Sequence, residues 1–146
     1  VEFRAWPGGP AARSGLRWQA GRGLALNCRY DTQYYRDSRQ TERQRGELLA
    51  AGFRAVLRGG LWLSGQSVIY HVPDYRARIY LTEPELVSGG SFHGYWGRGT
   101  REALAVRYGW DRKFSVGLKI ARQSREYKGE STEEMELGFE MEIMLK

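Results

Sequence analysis

The sequence predicts an all-β fold of antiparallel, up-and-down strands belonging to a barrel, and three observations carry the prediction. Apolar and polar residues alternate with period two through several long segments. Glycine- and arginine-rich tight turns or longer polar connections separate those segments. No segment carries the 3.6-residue repeat of an amphipathic helix.

Taken in chain order, residues 1–6 and 14–20 are weaker strands, and the first strong one follows. From 24 to 34 the even positions are Leu24, Leu26, Cys28, Tyr30, Thr32 and Tyr34, against Ala25, Asn27, Arg29, Asp31 and Gln33. Successive side chains of a strand point to opposite faces, so one face is apolar and the other polar. The pattern returns at Leu49, Ala51, Phe53, Ala55 and Leu57, and more weakly over 61–71 and 76–82. It is clear again at Leu104, Val106, Tyr108 and Trp110, and at Phe114, Val116, Leu118 and Ile120. The last segment sets Met135, Leu137, Phe139, Met141, Ile143 and Leu145 against Glu136, Gly138, Glu140 and Glu142. About nine strands result. Tight turns fall at 20–23, 58–60 and 109–112; longer connections are expected at 7–13, 37–45, 72–75, 83–99 and 124–132. Long and short alternate except around 76–82, where a strand is expected to end inside the barrel, its successor beginning in the next segment.

Composition narrows the class. The 146 residues suit one domain, either a whole barrel domain over 1–146 or a C-terminal barrel fragment. Aromatics at 13% and 19 glycines against 4 prolines favour strands and turns and argue against disorder. The 23 Lys and Arg against 17 Asp and Glu give +6, but these charges are dispersed, and no nucleic-acid partner is expected from this segment. One cysteine, Cys28, allows no internal disulfide and no cysteine metal cluster; on an apolar strand face it reads as a small packing residue. The chain opens at Val1 without an initiator Met or signal peptide, which favours a piece of something longer.

Alternation alone also fits a soluble sandwich or barrel. Three details favour a transmembrane barrel. Several apolar faces run five or six dyads, near the ~9–11 residues of a spanning strand. The opposite face mixes small residues with charges that can pair across strands in a lumen, as Glu136, Glu140 and Glu142 can with Lys119. Aromatics gather near strand ends, at Tyr34, Tyr35, Tyr70, Tyr108, Trp110 and Tyr127, where rings settle at a bilayer interface. Face parity then offers Arg29, Asp31, Arg54, Arg78, Arg107, Lys119, Glu136 and Glu140 as lumen charges. The final strand, running toward the short-turn side, would leave the C-terminus in the periplasm, although Leu145–Lys146 is not the aromatic ending typical of such barrels.

The stretch from Arg76 to Arg101 has its own pattern: Arg78-Ile-Tyr-Leu-Thr-Glu-Pro-Glu-Leu, then Phe92, then Gly97-Arg-Gly-Thr-Arg101. It resembles a passage near the end of bacterial outer-membrane proteins that carry a helix-hairpin-helix region upstream of the barrel, and the likeness covers about the last two-thirds of the chain. The resemblance implies a C-terminal β-barrel; the helix-hairpin-helix part is absent, so DNA contact is not implied. Physically, Glu83 with Arg78 and Arg101 would form a charge set where a loop folds toward the lumen. Phe92 would lie in an aromatic loop, and Gly97 and Gly99 would permit a sharp turn or close approach of another strand. An ordinary ordered loop with a type II turn fits the same residues equally well.

Catalytic chemistry finds little footing. His71 and His93 have no spacing that requires a metal or a hydrolase role. Residues 94–99 (GYWGRG) resemble a phosphate loop in outline but lack the Gly-Lys-Ser/Thr ending and a following helix. Glu133, Glu134 and Glu136 divide between two faces of a strand. The sequence therefore predicts a non-enzymatic component of the cell outer membrane, a pore or a structural scaffold and anchor. Its partners would be lipid and further membrane or periplasmic subunits, with no cofactor or metal. The alternative is a soluble β-barrel or sandwich with Phe53, Leu118 and Phe139 in a dry core, binding an apolar ligand or a protein. A third and weaker one is a barrel enzyme acting through the loop of His93.

Overall fold

The computed structural model describes residues 2–6, 9–21, 23–36, 43–84, 92–111 and 114–143. These hold ten strands and no α-helix. They are β1 (Glu2–Trp6), β2 (Gly9–Ala20), β3 (Leu24–Arg36), β4 (Arg43–Val56), β5 (Leu61–Val72), β6 (Ile79–Thr82), β7 (Phe92–Tyr95), β8 (Gly97–Asp111), β9 (Phe114–Tyr127) and β10 (Glu130–Ile143).

Eight of them form one antiparallel sheet in the order β1-β2-β3-β4-β5-β8-β9-β10, an up-and-down meander. The remaining two, β6 and β7, pair only with each other. The expected strand count of nine is therefore corrected: residues 76–82 do not contribute a wall strand, and β7 was not legible. Pairing of β5 directly with β8, Val72 opposite Gly97, makes 73–96 an excursion from an otherwise regular meander. This resolves the break in the alternation of connections. Closure is corrected too: among the described residues β1 and β10 are the two edges of an open sheet.

Two expected long connections are strand instead. Residues 9–13 belong to β2, and β9 and β10 run on to Tyr127 and Glu130 around a two-residue turn. Lys128 (φ 54°) and Gly129 (φ 84°) both take positive φ there, the backbone of a turn whose twist matches the flanking strands. Polar composition at these ends hid the strands, because backbone ladders persist where neither face is apolar. The same reason moves the starts of β4 and β8 back to Arg43 and Gly97. Residues 37–42, most of one expected loop, lie outside the described residues.

One face of the sheet carries the core. Leu48, Ala50, Val68, Tyr70 and Val72 on β4 and β5 pack against Ala77, Ile79, Leu81 and Tyr95 of the excursion. The rings of Tyr70 and Tyr95 meet edge to face, with centroids 5.1 Å apart. Tyr70 is thus an interior residue and not one of an interfacial aromatic set. The other face stays bare. Ile69 is 58% exposed, Leu118 49%, Leu137 72% and Phe139 71%, and Cys28 is exposed among them and not packed in a core.

Candidate functional site: a charge network beneath an inner hairpin

The chemistry-bearing side chains converge where the β6–β7 hairpin lies on the covered face. Glu83, just past β6, is buried there and meets Arg101 of β8 through both carboxylate oxygens. One contact is to Arg101 Nε, and the other runs from Arg101 Nη2 to Glu83 Oε2 at 2.9 Å. Tyr95 donates its hydroxyl to Glu83 Oε1 at 3.0 Å, and Lys119 Nζ of β9 approaches Oε2 at 3.3 Å. Glu136 of β10 bridges the same two cations, Arg101 at 2.7 Å and Lys119 at 3.3 Å. The Arg101 side chain is only 4% exposed, so its charge depends on these partners.

Around this centre runs a neutral relay. Arg101 Nη1 donates to Gln123 Oε1 at 3.3 Å, while Gln123 Nε2 donates to Tyr70 Oη at 2.9 Å. His93 Nε2 lies 3.1 Å from the same Gln123 oxygen, and its Nδ1 lies 4.0 Å from Glu83. His93 is thus absorbed into the packing of the hairpin. His71 is exposed on the other face. No group of three His, Cys, Asp or Glu among the described residues is arranged to hold a metal ion.

The hairpin is anchored on its other flank as well. Arg29 of β3 donates to Asp31 at 2.9 Å and to the carbonyl of Tyr80 at 3.2 Å, and Arg13 joins Asp31 at 3.1 Å. Gln66 of β5 donates to the carbonyl of Thr82 at 3.4 Å. Nearer the short turns, Arg107 pairs with Glu142 at 2.9 Å, and Arg54 stacks over Trp62 at 4.7 Å.

Of the charges chosen by face parity, Arg29, Asp31, Arg107, Lys119 and Glu136 enter pairs on the covered face. Arg54 stacks instead of pairing. Glu140 faces the same side opposite Gly117, with no ion pair made to it among the described residues. Arg78 is corrected: it sits off the sheet, stacked over Tyr75 at 4.5 Å and bonded to the Tyr80 hydroxyl. The expected set of Arg78, Glu83 and Arg101 thus reduces to Glu83 and Arg101. Phe92 is 72% exposed at the start of β7.

Both glycines of the motif do what their size allows. Gly97 holds φ 82°, and a Cβ there would fall 2.5 Å from the Glu126 carbonyl oxygen. A Cβ at Gly99 would fall 2.0 Å from that of Ser124. The chain turns from the hairpin into β8 at this point and runs tight against β9, for which a side chain leaves no space. Above the network, rings and guanidinium groups stack in series at the loop end. Arg76 lies over Tyr35 at 4.7 Å, Tyr75 meets Trp96 edge-on at 5.1 Å, and Arg125 covers Trp96 at 4.4 Å. Asp74 starts this turn by accepting from the Arg76 backbone, and the Arg76 guanidinium holds its carboxyl below the usual carboxylate range.

Tyr70, Tyr95, Gln123 and Arg13 were missed as members of the site, and Glu142, expected to pair with Lys119, pairs with Arg107 instead. Gln123 shares the parity of Lys119, and Tyr70 that of Val72, so face counting could have found both. Tyr95 stands on a four-residue strand, too short to show a period.

Fold and site together define an antiparallel all-β protein whose sheet is covered on one face, over an apolar core and a buried charge network, and apolar and bare on the other. No family model matches the chain, and no curated protein and no solved structure is similar to it.

Proposed function

We propose that this chain is part of the wall of an outer-membrane β-barrel, serving as a structural scaffold or anchor whose interior is filled by the β6–β7 hairpin. The observation that carries this is the placement of polarity. The covered face of the sheet buries Arg101, Lys119 and Gln123 beside its apolar core, while the opposite face leaves Leu118, Leu137 and Phe139 exposed, an apolar face that a water-soluble domain would cover. A continuous apolar face of this extent is what a lipid-facing wall needs.

The apolar band continues from strand to strand across the outward face, with a stepped edge toward the loop end. Toward the loop end, the last apolar outward residues on β4 and β5 are Leu49 and Ile69, which pair with each other. Ile69 pairs with Thr100 of β8, which pairs with Ser124 of β9. On those strands the apolar run stops four residues earlier, at the pair Leu104 and Ile120, with Glu102 and Arg122 beyond it. On β10 the outward apolar run reaches Met135, which pairs with Arg122, so the edge of the band steps back between β5 and β8 and advances again at β10.

With the hairpin held by Glu83, Arg29 and Gln66, the covered face is obstructed, which favours a scaffold or anchor over an open pore. The test is extraction and gel mobility of the full-length protein. A membrane barrel resists alkaline carbonate, needs detergent, and migrates differently with and without boiling. A carbonate-soluble protein with one mobility in both conditions would refute the reading and turn the apolar face into a contact for a soluble partner.

A further inference from the structure

The hairpin leaves one part of the covered face open, and the charges there are unbalanced. Its polar contacts with β3 and β5 end where Arg29 donates to the Tyr80 carbonyl and Gln66 to that of Thr82. Beyond that line, toward the short turns, Arg17, Asn27 and Arg54 are exposed, and Trp62 is 39% exposed. Elsewhere on this face Arg13, Arg29, Arg101, Arg107, Lys119 and Arg125 each contact a carboxylate. Arg17 and Arg54 contact none among the described residues, and Asp31 is already shared by Arg13 and Arg29. Glu140 faces the same side but stands on β10, four strand spacings or about 19 Å along the sheet from β4. That exceeds the ~8–10 Å over which exposed charges act in physiological salt.

The strand register sets these groups around one opening. Arg17 pairs with Asn27 and Asn27 with Gly52, while Arg54 stands two residues further along β4, opposite Ser64. Two strand spacings across and two residues along place the Cα atoms of the two arginines about 12 Å apart, within the joint reach of their side chains. Asn27 leans over Gly52 into the gap between them: a Cβ on Gly52 would fall 2.9 Å from its Oδ1 and 3.3 Å from its Nδ2. Trp62 covers one face of the Arg54 guanidinium, 4.7 Å from ring centre to Cζ, and leaves the N–H edge of the fork free. The side-chain donors of Arg17, Asn27 and Ser64 are unused among the described residues. Two full positive charges with neutral donors between them match a dianion that bears several acceptor oxygens. A phosphate monoester carries about −1.5 to −2 charge at pH 7 and three such oxygens. One carboxylate would fill a single guanidinium fork and leave the other cation unmatched.

We propose that Arg17, Asn27 and Arg54, with Ser64 beside them, form a binding site for the phosphate group of a small water-soluble molecule. The polar, water-accessible setting on the face opposite the apolar one selects a soluble phosphate over a lipid headgroup. Titration calorimetry of the full-length protein with inorganic phosphate tests this, in detergent where extraction requires it, and its result does not depend on what the outward face meets. Saturable binding is expected, with a Kd of about 1 mM or below. Arg17→Gln and Arg54→Gln should each weaken it about tenfold or more, because each removes charge-assisted hydrogen bonds. Arg122→Gln makes the same change in net charge on the outward face and should leave binding unchanged. All three side chains are exposed, and an unaltered urea midpoint for each variant separates lost binding from lost folding. Absence of saturable binding overturns the proposal, and equal weakening by Arg122→Gln overturns it by reducing the effect to net charge. Succinate binding as tightly as phosphate would replace it with a dicarboxylate site. Dihexanoyl phosphatidate binding more tightly than glycerol phosphate would overturn the assignment to a soluble ligand.

Discussion

Replacing Glu83 with Gln tests whether the charge network holds the hairpin to the wall. The change keeps side-chain shape and an acceptor for Tyr95, and removes the negative charge that faces Arg101 and Lys119. Breaking a buried ion pair by deleting one partner costs about 3–5 kcal/mol, because the other charge is left uncompensated. Here Glu136 still touches both cations, at 2.7 and 3.3 Å, but it is half exposed and screened, so only part of the loss is recovered. The expected destabilisation of Glu83→Gln is therefore about 2–3 kcal/mol. It should be read from reversible urea unfolding of the protein folded into lipid vesicles, together with protease cleavage within 73–96 of the folded state. A double-mutant cycle with Arg101→Met separates the pair from general damage. The double variant should lose less than the sum of the single losses, because no orphan charge remains. A loss under about 0.5 kcal/mol for Glu83→Gln, or strict additivity with Arg101→Met, would refute the claim that this pair fastens the hairpin.

Other perturbations separate the two faces and the tight contacts. Leu118→Arg on the outward face should cost about 2–4 kcal/mol in vesicles if that face meets lipid, and stay near neutral if it meets water; the same unfolding assay decides. On the inner face, Arg107→Leu should lose about 1 kcal/mol with its Glu142 pair, whereas Glu140→Leu should change stability by less than about 0.5 kcal/mol. Equal losses would show that these charges do not act through pairing. Tyr95→Phe removes one hydrogen bond to a charged group and should cost about 1.5–3 kcal/mol, measured by the same unfolding curve. Gly99→Ala drives a methyl into the Ser124 carbonyl and should loosen the β8–β9 ladder, seen as faster amide hydrogen exchange over 98–101 than in the parent protein. Unchanged exchange there would show that the close approach of the two strands is not constrained.

Much of the wall was legible because a strand that separates two unlike environments writes its two faces into alternate residues. Leu24 to Tyr34, Phe114 to Ile120 and Met135 to Ile143 reveal themselves this way, and the same parity put Arg29, Asp31, Arg107, Lys119 and Glu136 on one side. Where both sides of a strand are polar, as in 97–102 and 122–133, no period remains, and the extra length of β8, β9 and β10 was invisible. The Gly97 and Gly99 spacing marks a close approach, and Glu83 and Arg101 meet as a buried ion pair. Arg78 joins them only by nearness in sequence.

The sequence by itself determined the all-β class, the antiparallel order of the long strands and the chemical contrast between their faces, since these rest on local alternation. Only the tertiary structure decided that 73–96 leaves the sheet, that β5 pairs directly with β8, and that Glu83, Tyr95, Arg101, Lys119, Gln123 and Glu136 meet at one point. Those contacts join residues up to dozens of positions apart. Their energy depends on a burial that one strand's pattern cannot express, because desolvation is set by what the rest of the chain places on top.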